Sequence, residues 1–211
     1  MKKLTILDLD NTLYNERDYF AGVFQEFEFS KNLTSGLLLK KFDNLERNCP
    51  DILKSVLHSL DIYSKDNHEE LFTYYCHAVF SIQLPEKSRI FLKSLKEMGC
   101  ISAVLTNGVV KVQKNKVKNL GLDLLCDRVF YARENAAEYE KPDARCFYEV
   151  LDYFGIDKSD AIMIGDSYEN DYLGAVEAEI DALWFKGRFN NGITELAEAM
   201  VYIAGENNEK N

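Results

Sequence analysis

The sequence predicts an α/β protein: a doubly wound parallel sheet with a small all-helical segment inserted after the first strand. Three observations predict it. Beyond Leu84, short apolar runs of strand length alternate with segments of helical period, the pattern of βα units. An isolated apolar run, Leu4 to Leu7, opens the chain. Residues 15–84, between the two, carry helical patterns and no convincing strand.

The strands follow in order. Leu4 to Leu7 is the first, then Ile101 to Leu105, Val129 to Ala132, Ala161 to Ile164 and Ala182 to Phe185, all rich in residues that suit a buried strand. Helices separate them. Phe91, Leu95 and Met98 stand at i, i+4 and i+7 before Gly99; Val110, Val117 and Leu120 precede Gly121; Phe147, Val150, Leu151 and Phe154 precede Gly155. Right-handed crossovers make a doubly wound sheet the economical topology. In the insertion, Leu71, Phe72, Tyr75, Cys76 and Val79 form an apolar stripe, and Pro50 suits the first turn of another helix. Pro85 marks the return to the sheet. The expected organisation is an α/β core from residues 1–14 and 85–204, a helical cap over 15–84, and a frayed polar tail over 205–211.

Composition narrows the function. The 211 residues are 46% hydrophobic, enough for a sizeable core, since chains of this size bury roughly 70% of their unfolded surface. With 25 basic and 35 acidic side chains the net charge is −10, which argues against nucleic acid polymers and anionic membranes as partners. A phosphate monoester remains admissible where a cation and local donors invert the potential inside a cleft. The five cysteines are odd in number, scattered and without a C-x-x-C pair, and read as reduced thiols of a cytoplasmic protein. The apolar run after Lys2 and Lys3 is broken by Asp8 and Asp10, too soon for a signal peptide or a membrane span. His58, His68 and His77 have no metal-ligand spacing among them, and no oligomeric interface can be read from the chain.

Four clusters carry chemistry. Asp8-Leu9-Asp10-Asn11-Thr12 directly follows the first strand, at the end where open α/β sheets bind ligands, with Asp8 and Asp10 on one side of extended chain. On its own this pair reads equally as a polar turn. Thr106-Asn107-Gly108 ends the second strand before a helix, offering a hydroxyl and backbone N–H groups to an anion. Lys141-Pro142 stands at a helix start, where proline fixes the chain and can aim a lysine inward. Gly165-Asp166-Ser167, with Asp171 a turn later, follows another strand. Hard oxygen ligands from Asp8 and Asp166, with waters and a substrate phosphate, suit Mg²⁺ better than zinc.

The order of these clusters resembles the haloacid dehalogenase-like superfamily, specifically phosphatases with a helical cap after the first strand, over almost the whole chain from Asp8 to Phe185. The resemblance implies Asp8 as nucleophile, Asp10 as general acid/base, Thr106, Asn107 and Lys141 as phosphate binders, and a Mg²⁺ site of Asp8, the Asp10 backbone carbonyl, Asp166 and Asp171, the last as ligand or in support. It implies hydrolysis of a small phosphorylated metabolite through an aspartyl phosphate. The Asn-Thr-Leu-Tyr wording after Asp10 resembles nucleotidase-like members, so nucleoside monophosphates stand beside sugar phosphates as expected substrates.

Tyr14, Asn15 and Glu16 are the expected substrate-selecting residues, whereas Tyr19 and Phe20 are expected in the helical core. Glu138-Tyr139-Glu140, before Lys141, departs from the family's Gly-containing turn and reads as a solvated loop that also stands at the rim. The alternatives are a phosphomutase of the same superfamily and a catalytically silent binding protein on the same scaffold.

Overall fold

The computed structural model describes residues 1–45, 49–80, 82–134, 136–186 and 192–205, so residues 206–211 of the expected tail lie outside the described residues. The chain divides into two compact units, Glu16–Gln83 and Met1–Asn15 with Leu84–Asn211.

Within the first of these, the described elements are helices: α1 (Glu16–Ser30), α2 (Leu37–Phe42), α3 (Ile52–His58) and α4 (Lys65–His77). On α1, Tyr19, Phe20, Val23, Phe24 and Phe27 recur at helical spacing, and all five are buried. Phe20 packs 4.7 Å from the Phe42 ring and stacks at 5.4 Å on Tyr75. The helix starts are capped from within. Asp51 accepts the Lys54 N–H on α3, and Ser64 accepts the Asn67 N–H on α4. Buried Glu28 on α1 accepts the Gly36 and Leu38 N–H groups at the start of α2.

Two expectations are corrected. Pro50 lies ahead of the α3 cap rather than in its first turn. The stripe on α4 is only partly inward: Leu71 and Cys76 are buried, but Phe72 is exposed and Val79 is 80% exposed. The reason is that α4 stops at His77, and Ala78 adopts an extended ψ of 133° before Val79 is reached.

The second unit is a six-stranded parallel sheet among the described residues, in the order β3-β2-β1-β4-β5-β6. In chain order, β1 (Leu4–Leu7) is followed across the insertion by α5 (Glu86–Glu97), β2 (Ile101–Thr106), α6 (Val110–Leu120), β3 (Arg128–Tyr131) and α7 (Ala144–Phe154). Then come β4 (Ala161–Gly165), α8 (Gly174–Glu177), β5 (Asp181–Phe185), the two-residue β6 (Gly192–Ile193) and α9 (Ala199–Ala204). The fold class is the one the alternation predicts.

Leu4 and Ile6 of β1 join Leu105 and Met163 on one face, packed with Phe147 and Val150 of α7 and Ala175 of α8. Thr5 and Leu7, pointing the other way, are also fully buried, as a parallel sheet covered on both faces requires. β3 is displaced one residue toward the N-terminus of its expected span, and β6 is too short to carry a pattern of its own.

β1 is the central pivot. Leu7 is paired with Val104 of β2 on one side and Ile164 of β4 on the other, so the chain leaves β1, β2 and β4 at one edge, at the point where strand order reverses.

Candidate active site

Asp8 is the first residue beyond β1, and its backbone N–H is tied to Ile164 O at 3.0 Å. Lys141, delivered by the segment entering α7, is 3% exposed. Its Nζ lies 2.7 Å from Asp8 Oδ1, 2.7 Å from Asp171 Oδ1 and 2.8 Å from Leu105 O at the end of β2. The proline beside it approaches α8 so closely that a Cβ at Gly174 would lie 2.8 Å from Pro142 Cα. Asp171 stands in a π-helical turn, Tyr168–Leu173, between β4 and α8. Its carboxylate accepts the Ser167 N–H and lies against Gly165, where any side chain would collide with it.

Thr12 links two strand ends: its hydroxyl donates to Asp8 Oδ2 at 3.3 Å and accepts the Asp166 N–H at 3.1 Å. The Asp166 carbonyl takes the Trp184 indole N–H. Asp10 faces α6. Its carboxylate receives Lys116 Nζ at 2.8 Å on both oxygens, Gln113 Nε2 at 2.8 Å and the Tyr14 hydroxyl at 2.7 Å. Gln113 also donates to the Thr106 hydroxyl.

The Asp8–Thr12 cluster included Thr12 without giving it a role of its own, and the sequence reading missed Gln113 and Lys116. Gln113 and Lys116 left a signal, being polar residues on the face of α6 that also buries Val112, Val117 and Leu120.

A cavity of about 160 Å³ is lined by Asp8, Asp10, Thr106, Asn107, Lys141, Asp166 and Asp171, together with Asn11, Ser167 and Asn170. The Asn107 side chain clasps the Lys141 backbone, donating to Lys141 O at 2.8 Å and accepting the Lys141 N–H at 2.9 Å. Glu140 is more than a solvated loop residue: it accepts the Gly108 N–H at 2.6 Å and pairs with Arg133 at 2.7 Å.

Tyr14 is buried, with its hydroxyl given to Asp10. Asn15 is exposed, and Glu16 opens α1. His68 pairs with Asp51 and His58 stacks on Tyr63, and among the described residues no histidine belongs to a metal-sized cluster. The five cysteines are free thiols.

A family profile described as Haloacid dehalogenase-like hydrolase matches residues 5–185. The chain belongs to this family.

Among haloacid dehalogenase-like hydrolases, a glyceraldehyde 3-phosphate phosphatase of Methanocaldococcus jannaschii is 26% identical over 205 residues, covering 90% of this chain and 88% of that protein. A phosphoserine phosphatase of Thermus thermophilus is 34% identical over 98 residues, 46% of this chain and 39% of that protein. The crystal structure of the putative hydrolase YfnB of Bacillus subtilis, bound to magnesium, superposes with a TM-score of 0.70 at 16% identity, covering 96% of this chain and 98% of that one. The enzyme class is that of a phosphatase hydrolysing phosphoric monoesters. No described helix is long and apolar enough to cross a membrane.

The electrostatics of this hydrolase site are those of crowded acids. Burial pushes the Asp8 carboxyl up to about 8; Lys141 opposes the shift, while Asp171 and Asp10 add to it. Asp166 is pushed up to about 6 by burial and by Asp171. Burial works against the Lys141 charge, but Asp171 and Asp8 outweigh it and hold its pKa above the usual lysine value. Oxygens of Asp8, Asp166 and Asp171 lie within 4.8 Å of one another. Three carboxylates around one ammonium leave an excess of negative charge, and hard oxygen donors at that spacing fit a divalent cation such as Mg²⁺.

Proposed function

We propose that this chain is a Mg²⁺-dependent phosphatase that takes phosphate from a small phosphorylated metabolite through an aspartyl phosphate on Asp8. The observation that carries the reading is the convergence of Asp8, Lys141, Asp166 and Asp171 on one cavity at the carboxyl ends of β1 and β4. Asp8, Asp166, Asp171 and the Asp10 carbonyl would hold Mg²⁺, which when bound supplies positive charge against the phosphate and orients it.

Asp8 attacks phosphorus in line, and the bond to the leaving oxygen breaks as Asp10 protonates that oxygen. Water then attacks phosphorus and yields its proton to Asp10, and the bond to Asp8 breaks, releasing inorganic phosphate. Lys141 binds the phosphoryl oxygens and orients Asp8. Thr106, 1% exposed but lining the cavity, offers its hydroxyl, and Asn107 contributes by fixing the Lys141 backbone.

Sugar phosphates of triose size are favoured over nucleoside monophosphates, because relatives aligned over most of the chain are named for glyceraldehyde 3-phosphate. Asn15 and Glu16 are proposed to select the leaving group, with Tyr14 acting beside them through Asp10.

Phosphate release from a panel of triose, pentose and hexose phosphates, phosphoserine and nucleoside monophosphates, with Mg²⁺ and after chelation, tests the reading. Mg²⁺-dependent turnover of a sugar phosphate is expected. Full turnover after exhaustive chelation, or no hydrolysis of any phosphate ester with Mg²⁺, overturns it.

A further inference from the structure

Lys116 is a lysine inside the fold, 1% exposed, on the inward face of α6. A buried ammonium is costly unless paired. Its Nζ lies 2.8 Å from both oxygens of Asp10. One turn earlier on the same face, Gln113 divides its amide hydrogens between Asp10 Oδ2 at 2.8 Å and Thr106 Oγ1 at 2.5 Å. The Thr106 oxygen accepts from Gln113, and its own hydrogen donates to the Asn107 carbonyl at 3.3 Å. The Tyr14 hydroxyl meets Asp10 from the other side, at Oδ1.

We propose that Lys116 is a positioning residue for the Asp10 carboxylate, and that Gln113 ties that carboxylate to the phosphate-facing hydroxyl of Thr106. An ammonium bonded to both oxygens restrains rotation of the carboxylate about its Cβ–Cγ bond and so fixes where those oxygens lie in the site. A misplacement of about 1 Å at such a group costs roughly 10²-fold in rate. The inference rests on the reading of Asp10 as proton donor in the proposed function and goes beyond it, to the residues that hold the donor.

The test is the dependence of kcat/KM on leaving-group basicity across 4-nitrophenyl, phenyl and 4-methoxyphenyl phosphate, for the Mg²⁺-loaded wild type, Asp10→Asn, Lys116→Met and the double variant. The 4-nitrophenolate ion departs without a proton, whereas the other two need one. Lys116→Met is expected to lose about 10- to 100-fold on phenyl phosphate and far less on 4-nitrophenyl phosphate. Asp10→Asn should show the same steepening, and Lys116→Met should add nothing further in the Asp10→Asn background. Gln113→Met, which keeps the Lys116 pair, should steepen the dependence in the same direction by a smaller factor.

Equal losses on all three substrates, or losses that multiply in the double variant, overturn the positioning role and leave Lys116 as a structural pair. If Asp10→Asn steepens and both Lys116→Met and Gln113→Met do not, the inference alone falls. If Asp10→Asn does not steepen, the reading of Asp10 as proton donor falls, and the inference with it.

Discussion

Lys141 Nζ stands 2.7 Å from Asp8 Oδ1, and neither residue is more than 8% exposed. The same ammonium lies 2.7 Å from Asp171 Oδ1, so one cation bridges two buried carboxyl groups. Removing it leaves the buried Asp171 carboxylate without its main compensation, which for a buried pair costs about 3 to 5 kcal/mol. Lys141→Met should therefore lower the unfolding free energy by about that amount at neutral pH and reduce kcat/KM by at least about 10²-fold. Lys141→Arg should not rescue activity, because a planar fork cannot meet Asp8, Asp171 and the Leu105 carbonyl from one point. Denaturant unfolding and steady-state kinetics on both variants check this. Wild-type stability in Lys141→Met would contradict it.

The raised carboxyls make metal binding and stability depend on pH. Asp8, at about 8 in the fold against an ordinary value of 3.8, keeps its proton where the unfolded chain has already lost it. Stability from this group is therefore highest below about pH 4, falls as pH rises, and its deficit is complete above about pH 8. Asp166, at about 6, acts in the same sense over the lower part of that range. Mg²⁺ binds the ionised forms, so the rise in Tm that it produces should be larger at about pH 8.5 than at about pH 5.5. Thermal unfolding with and without Mg²⁺ at those two values measures it. A shift that is equal at both, or larger at the acid end, would contradict the assignment of Asp8 and Asp166 to the metal.

Gly165 is required by proximity, since a Cβ there would collide with the Asp171 carboxylate. Gly165→Ala must push Asp171 away from Lys141 and the Ser167 N–H. The Mg²⁺ concentration for half-maximal activity should rise about 10- to 100-fold, the usual cost of disturbing the groups that orient a metal site. Isothermal titration with Mg²⁺ gives the same comparison without turnover. Unchanged affinity would show that Asp171 plays no part in holding the ion.

Much of the α/β unit was readable because its signals are local. Leu4 to Leu7, broken only by Thr5, and Ala161 to Ile164 are short apolar runs, and each is followed by Asp or Gly-Asp at the edge where ligands bind. That is why Asp8, Asp166 and Asp171 could be singled out from order alone. What stayed hidden depends on distance along the chain. Lys116 meets Asp10 from 106 residues away, and no local pattern says which carboxylate a buried lysine will choose. Nor does any local pattern say that the Asn107 side chain will clasp the backbone of Lys141, 34 residues away. Val79 continues the helical stripe of α4 in sequence, but the helix ends before it, through a backbone change at Ala78 that carries no breaker residue.

The account stands or falls on which atom first receives the phosphoryl group. Rapid-quench mass spectrometry of the Mg²⁺-loaded enzyme mixed with a turned-over phosphate ester measures this directly. The account predicts one phosphoryl group on the peptide that contains Asp8, formed and lost at rates compatible with turnover, and absent from Asp8→Asn, which should fold normally yet be inactive. Phosphate on any other residue, or sustained turnover by Asp8→Asn, would contradict it.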